Sequence, residues 1–167
     1  MTKQNPDAID LLKEQHREVE ALFAKFEKLE EDDAQGRRSV FLAIADNLSA
    51  HAAIEEQFFY PAVKAKQTED ILRESLEEHL AAKRIIADLL ELQPGDESYD
   101  AKMSVLHEQV EHHVKEEEKE MFPKVKKLFA KEDLDALGEQ MRVVFEEMVA
   151  ADAREAIPEQ TDEAAPL

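Results

Sequence analysis

The chain has 167 residues and no cysteine, and its 40 acidic and 21 basic residues give a formal net charge of −19. This length is typical of one domain with its own hydrophobic core, and the missing cysteines exclude disulfides, thiol nucleophiles and thiolate-bound metals. Because an acidic surface repels phosphate backbones and anionic membranes, we expect neither a nucleic acid nor a membrane as a partner.

The composition favours an all-α protein. There are only three glycines, and Glu, Lys, Ala and Leu are abundant, all of which suits long helices. The opening residues, MTKQNPDAID, lack a basic region followed by an apolar one, and no run of about 18 apolar residues occurs. We therefore expect a cytoplasmic location.

Caps, prolines and glycines divide the chain into five predicted helices. Residues 1–150 are expected to form the folded domain, and the acidic residues 151–167 a disordered tail. The helices are predicted from the Asn5-Pro6-Asp7 cap to about Glu31, from about Arg37 to Ala65, from the cap Thr68 to just before Pro94 and Gly95, from about Tyr99 to Phe129, and from about Leu134 to Val149.

The first four helices carry apolar stripes whose members recur at steps of three and four residues. This spacing lets helices pack side by side at shallow angles, so it predicts an up-down-up-down four-helix bundle with an additional C-terminal helix. A histidine interrupts every stripe, and in two stripes a glutamate follows one turn later. These residues are His16, His51 with Glu55, His79, and His113 with Glu117.

The spacing His-x-x-x-Glu is by itself weak support for a site, because five of the six histidines match it in so acidic a chain. Position within a stripe discriminates between them. Only two pairs, His51 with Glu55 and His113 with Glu117, keep both members in an apolar stripe.

An internal repeat supports the same residues. The segments HAAIEEQFFYP and HVKEEEKEMFP align without a gap, which places His51 on His113 and Glu55 on Glu117. The chain is therefore interpreted as a helical hairpin used twice, each copy giving one histidine from its first helix and a His/Glu pair from its second.

In an antiparallel bundle these polar groups can meet as one layer in the core. Burying two ionised carboxylates there without compensation costs on the order of several kcal/mol per charge. A metal removes that cost, and carboxylates that bridge two ions about 3.5–4 Å apart make a two-metal centre. The alternative is a polar layer in which the histidines and glutamates only hydrogen-bond each other.

The pattern of His16, His51 with Glu55 and EEQFFYP, His79, and His113 with Glu117 and EEKEMFP resembles the hemerythrin-like, or HHE cation-binding, family. The resemblance implies a bundle enclosing a non-haem centre of two iron ions. It further implies that His16 and His51 serve one iron, that His79 and His113 serve the other, and that Glu55 and Glu117 bridge them. Such ligands also accept zinc or manganese.

Two positions depart from the oxygen-carrying members of that family. Where they have a further histidine one turn before the third-helix ligand, this chain has Ser75, which would leave one iron with an open or water-bound position. The carriers' His-x-x-x-x-Asp spacing could be mimicked by His112 and Glu117, but His112 lies about 100° from the stripe, so His113 is preferred.

Other residues near the predicted centre have two interpretations each. Glu56 and Glu118 repeat, and are either contacts to ligand histidines or solvated acids. Tyr60 is most simply a core filler beside a proline kink, with tuning of redox behaviour as the alternative. His107 lies off the stripe and is expected at the surface.

The predicted function is binding of, or reaction with, a small oxidant or gas such as oxygen, peroxide or nitric oxide. One alternative is an iron- or oxygen-sensing module without turnover, and another is a metal-free acidic bundle that docks a partner. The fifth helix is amphipathic enough to cover one end of the bundle or to pair between protomers, so both a monomer and a homodimer are compatible with the sequence.

Overall fold

A computed structural model of the chain describes residues 5–167, in which every regular element is helical. Residues 1–4 of the predicted domain lie outside the described residues. None of the helices within 5–167 combines the length and the apolarity needed to cross a membrane. The five long helices are α1 (Ala8–Glu27), α2 (Ala34–Ile54), α3 (Glu69–Glu91), α4 (Tyr99–Glu116) and α5 (Lys131–Ala150).

The first helix begins slightly later than predicted. Its cap is Asp7, whose carboxylate accepts a hydrogen bond from the backbone N–H of Asp10 at 2.9 Å, and Pro6 precedes the cap instead of following it. The expected cap, Asn5, instead donates its side-chain amide to Glu139 of α5 at 2.7 Å. A carboxylate at the positive end of the helix is favoured over the neutral amide.

The second and fourth helices are interrupted where the sequence predicted continuous helices. Each passes through one π-helical turn that ends just before a proline, Pro61 or Pro123. Since proline has no N–H, it weakens the regular helix at this point, and the preceding N–H bonds the carbonyl five residues back. The π turns span Glu55–Phe59 and Glu117–Met121, and they lead into the short helices Tyr60–Ala62 and Phe122–Leu128.

Two apolar clusters divide the bundle along its length. One cluster contains the starts of α1 and α3, the end of α2 and the residues that follow α4. The other contains the ends of α1 and α3 and the starts of α2 and α4. The four stripe histidines fall between the two clusters on every helix. This alternation is the up-down-up-down arrangement, and it places the polar layer across the middle of the core.

Helix α5 packs on α1 and α2 and covers the cluster at the start of α1, where Leu134 and Met141 are buried. Gly138 permits this approach, because a Cβ there would lie 2.6 Å from the carbonyl carbon of Asp7 and 2.7 Å from the amide nitrogen of Ala8. The fifth helix was expected either to cover one end of the bundle or to pair between protomers. In this structure it covers one end of the bundle.

The prediction of a disordered tail differs from the structure. Residues Ala153–Gln160 form a 3₁₀ helix that packs against α2 and α3, and the side chain of Ile157 is fully buried. The acidic composition of residues 151–167 favoured disorder, but the buried Ile157, the partly buried Ala164, Ala165 and Leu167, and hydrogen bonds to α2 hold this segment on the bundle.

Candidate metal centre

All six side chains predicted as ligands meet in the polar layer between the two apolar clusters. They come from α1, α2, α3, α4 and the first residue of each π turn. Glu55 and Glu117 are completely buried, and the four histidines are also buried. The six are His16, His51, Glu55, His79, His113 and Glu117.

One half of the layer is built by α1 and α2 with the two carboxylates. Nε2 of His16 lies 3.1 Å from Oε2 of Glu117, and Nε2 of His51 lies 3.1 Å from Oε1 of Glu55. Ligand atoms from these four residues all lie within 4.8 Å of one another. They form a compact set of two nitrogens and two oxygens.

The other half uses the remaining oxygens of the same carboxylates. Nε2 of His79 lies 2.9 Å from Oε2 of Glu55, and Nε2 of His113 lies 3.4 Å from Oε1 of Glu117. Each glutamate therefore presents one oxygen to each histidine pair. Both oxygens of each glutamate are therefore directed at histidines of different helices.

Each of these histidines also has a hydrogen-bonding partner for its outer nitrogen, Nδ1. Such partners fix the ring orientation and leave Nε2 free to bind a metal. The expected repeat of Glu56 and Glu118 corresponds to two of these contacts, and two further partners were not predicted. The pairs are His16 with Glu118 at 2.8 Å, His51 with Gln15 at 2.7 Å, His79 with Glu56 at 2.9 Å, and His113 with Glu78 at 2.6 Å.

The two unpredicted partners, Gln15 and Glu78, obey the same repeat as the ligands. Each directly precedes a stripe histidine, and each reaches across to the histidine of the next helix. Extending the alignment of His16 with His79 by one residue would have found them. The spacing of residues along a single helix does not reveal them, because it does not show which side chain contacts a histidine on the neighbouring helix.

Four buried polar atoms in the layer have no hydrogen-bond partner. Although the nitrogens and oxygens face each other at 3.1 Å, they lack the geometry of a hydrogen bond. Buried polar groups normally have a hydrogen-bond partner or a bound ion. A cation between these nitrogens and oxygens would supply the missing partner for all four atoms. The four atoms are Nε2 of His16, Nε2 of His51, Oε1 of Glu55 and Oε2 of Glu117.

The electrostatics of the layer favour ionised carboxylates. Burial raises the pKa of Glu55, but His51 and the other histidines outweigh it and hold the pKa well below the usual range. Burial and Glu55 likewise raise the pKa of Glu117, yet His113 and His16 bring it down to about 2. The paired negative charges suit a cation.

Tyr60 is both buried and part of the layer, which goes beyond its simplest interpretation as a core filler. Its hydroxyl lies 2.7 Å from Oε1 of Glu117 and 3.1 Å from Oε2 of Glu55. It also lies 3.3 Å from Nε2 of His79, near the buried Ser75. Burial and the two glutamates raise the pKa of the Tyr60 hydroxyl well above its usual value.

The remaining histidines lie outside the layer. The side chain of His112 is 63% exposed and lies beside Glu78 and Glu116 on the surface, so His113 is the histidine of α4 that enters the core. His107 stacks on Phe23 with ring centroids 4.3 Å apart, and it is not part of the layer formed by the other four histidines.

The chain matches the family described as Hemerythrin HHE cation binding domain over residues 7–125, and it belongs to that family. This confirms the family predicted from the histidine and glutamate pattern. The all-α bundle predicted from the stripes is confirmed by the helices themselves and by a solved relative.

Two known proteins illustrate the relationship. The crystal structure of a hemerythrin HHE cation binding domain-containing protein from Mycobacterium kansasii superposes with a TM-score of 0.77 at 23% identity, covering 93% of this chain and 94% of that one. A DNA nickase from Nostoc sp. (strain PCC 7120) is 26% identical over 133 residues, which are 80% of this chain and 37% of the nickase. The chain thus spans little more than a third of that curated relative.

Proposed function

We propose that the protein holds two iron ions in this layer and binds, or reacts with, a small oxidant or gas such as oxygen, peroxide or nitric oxide. In this proposal His16 and His51 hold one ion, and His79 and His113 hold the other. Glu55 and Glu117 bridge the two. The four unpaired buried atoms carry the proposal for the ion held by His16 and His51, since a metal-free layer of hydrogen-bonded side chains would not leave them unsatisfied. The group formed by Glu55, His79 and His113 supports the second ion.

The donor set supports iron. Imidazole nitrogens with carboxylate oxygens suit iron, zinc or manganese, whereas the soft thiolate ligands are missing from the chain. Iron, when bound, supplies the redox and gas-binding chemistry. The protein's own contribution is to fix the imidazoles through their Nδ1 partners and to keep water away from the layer by the apolar clusters on both sides.

Tyr60 has a more specific role in this proposal. Its phenol lies on the side of His79, next to Ser75, the position where oxygen carriers of the family have a further histidine. We therefore assign the phenol oxygen of Tyr60 as a further donor to the ion held by His79 and His113. It also holds a proton between the two glutamates when no metal is bound.

Elemental analysis together with the ultraviolet-visible spectrum tests the proposal, on protein purified in air without added metal. We expect about two irons per chain and an absorption that changes when azide or peroxide is added. No iron, with folding unaffected by a chelator, would overturn the metal centre. A single zinc would keep the ligands and exclude the redox chemistry.

A pair of histidine variants makes the assignment specific. His51→Ala removes a predicted ligand and should lower the metal content by at least one ion, whereas His107→Ala removes a histidine outside the layer and should leave it unchanged. If His51→Ala leaves the metal content unchanged and raises the melting temperature, His51 is not a ligand and its role in the layer is polar packing. Turnover of peroxide by the iron-loaded protein separates reaction from sensing.

The DNA nickase relative raises nucleic-acid cleavage as a second possibility to test. The formal net charge of −19 opposes contact with a phosphate backbone, and we expect no nicking of supercoiled plasmid by the metal-loaded protein. Conversion of the plasmid to its open circle, lost in His51→Ala, would contradict this expectation.

A further inference from the structure

A cavity of about 50 Å³ lies directly beside the polar layer, on the side of the cluster formed by the end of α1 and the start of α2. Side chains of α1, α2, α3 and α4 line it, and all four predicted ligand histidines are among them. A single water needs about 10–15 Å³ of such space, so the cavity has room for a small molecule next to the histidines. One lining residue, Ile157, comes from outside the four helices.

The chain reaches this position through a turn after α5. Asp152 adopts a left-handed conformation with φ of 55°, which aspartate tolerates better than most residues, and it reverses the chain. The 3₁₀ helix Ala153–Gln160 then lies against both α2 and α3, which make little direct contact with each other. Ile157 fills the gap between them and is 0% exposed.

Hydrogen bonds hold the 3₁₀ helix to α2 at its first turn. The Ser49 hydroxyl donates to the carbonyl of Ala153 at 2.8 Å. The backbone N–H of Arg154 donates to Oδ1 of Asp46 at 3.0 Å, and its guanidinium donates to Oδ2 of the same carboxylate at 2.5 Å. Ser49 and Asp46 are both buried, so these contacts are shielded from water.

The segment after Ile157 is held to α3 instead. The guanidinium of Arg84 donates to the carbonyl of Thr161 at 2.9 Å and to that of Asp162 at 3.0 Å. Residues 153–162 therefore cross from α2 to α3 as a strap, with Ile157 between the two attachments. The family match ends at residue 125, so this strap lies outside the part of the chain that defines the family.

We propose that Ile157 closes the wall of this cavity between α2 and α3 and thereby limits the size of the molecule that reaches the metal ligands. The inference rests on the proposed function, because it deals with access to the same centre. The cavity volume selects molecules of two or three heavy atoms, and larger ligands require the strap to move.

The first test uses the metal-free protein and so does not depend on iron. Xenon enters small apolar cavities, and its binding is measured by xenon NMR in the unmodified chain and in Ile157→Ala. Truncation to alanine should enlarge the cavity and strengthen xenon binding severalfold. The matched control is Val105→Ala, which shortens a 45% exposed apolar side chain of α4 and should leave xenon binding unchanged.

The second test uses the iron-loaded protein and compares the association rates of azide and the larger imidazole. We expect Ile157→Ala to raise the imidazole rate relative to the azide rate on the order of tenfold. The double variant Asp46→Asn with Ser49→Ala keeps the Ile157 side chain but loosens the strap, and it should shift the ratio in the same direction.

The outcomes separate the two proposals. If xenon binding is the same with and without the Ile157 side chain, Ile157 does not close the cavity and the inference is overturned, whatever the metal does. If xenon responds as expected but no metal ligand binds, the proposed function fails while the closure stands. If neither Ile157→Ala nor the double variant changes the ratio of the imidazole rate to the azide rate, size selection at this point is excluded.

Discussion

At the scale of single residues, each predicted ligand histidine has two different sides. Nε2 points into the layer, and Nδ1 is held by a side chain from a neighbouring helix. The sequence predicted which six side chains would meet, because stripe register and repeat both select them. It could not decide whether Glu56 and Glu118 contact histidines, because that depends on how neighbouring helices rotate against each other.

The outer glutamates provide a prediction about metal affinity. Glu56→Gln and Glu118→Gln each replace the carboxylate that holds a ligand imidazole by a neutral amide, and each should weaken metal binding about 10- to 100-fold. Competition with a chelator of known affinity measures the change. Glu120→Gln alters an exposed acid of the same π turn as Glu118 and should have no effect; equal affinities for all three variants would contradict this role.

Tyr60 provides a spectroscopic prediction. Tyr60→Phe removes one oxygen from a fully buried side chain and keeps its ring. If the phenol oxygen binds iron, the iron-loaded protein has a visible phenolate-to-iron charge-transfer band, and Tyr60→Phe loses it while keeping its iron. Identical visible spectra before and after the substitution would exclude Tyr60 as a donor.

At the scale of elements, the π turns explain how Glu55 and Tyr60 enter the same layer. Residues five apart on a regular α-helix point about 140° away from each other. The wider π turn brings them to one side, where their oxygens lie 3.1 Å apart. The apolar stripe did not predict the π turn, because its spacing of three and four residues continues with little change. Pro61 predicted a kink in the helix, but it did not predict that the kink would be a π turn.

Helix α5 supplies a prediction about stability. Gly138→Ala places a methyl group against backbone atoms of Asp7 and Ala8, which cannot move aside as a flexible side chain would. Overpacking of this kind costs about 2–3 kcal/mol, more than the gain of about 1 kcal/mol in helix propensity. The melting temperature should fall by about 2–8 °C in a thermal scan.

A matched control lies two residues along the same helix. Gln140→Ala changes an exposed side chain and improves helix propensity without a new neighbour, so its melting temperature should stay equal or rise slightly. A Gly138→Ala protein as stable as Gln140→Ala would mean that α5 does not pack closely on the start of α1.

At the scale of the whole molecule, the polar layer is supported by an apolar cluster on each side. Each cluster joins α1, α2 and α3 to α4 or to the residues that follow it, so these apolar contacts do not need a metal. We expect the metal-free protein to keep its helical circular dichroism and to melt cooperatively. Because only the folded layer binds metal, loading should raise the melting temperature with metal concentration, and a chelator should reverse the rise.

The arrangement of the bundle helices could be predicted from the sequence, whereas the position of the tail could not. The number, order and direction of the long helices were predicted from the apolar stripes, caps and turns. These predictions agree with the structure because the packing of a helical bundle depends on the same features. The ordered tail could not be predicted from the sequence, because Ile157 lies in an acidic stretch. The hydrogen-bonding partners of the tail, Asp46 and Ser49, are also far away in the sequence. Contacts of this kind leave no local pattern.

The two copies of the hairpin are similar but not identical, and this would make the two proposed metal positions electronically unequal. On one side, the imidazoles of His79 and His113 are both backed by carboxylates, and the Tyr60 phenol stands beside them. On the other side, His51 is backed only by the amide of Gln15. The carboxylate-rich side donates more electron density, so its iron should be oxidised first. A Mössbauer spectrum would then show two distinct quadrupole doublets of equal area, and a half-oxidised state with the charge localised on one ion should be stable enough to observe.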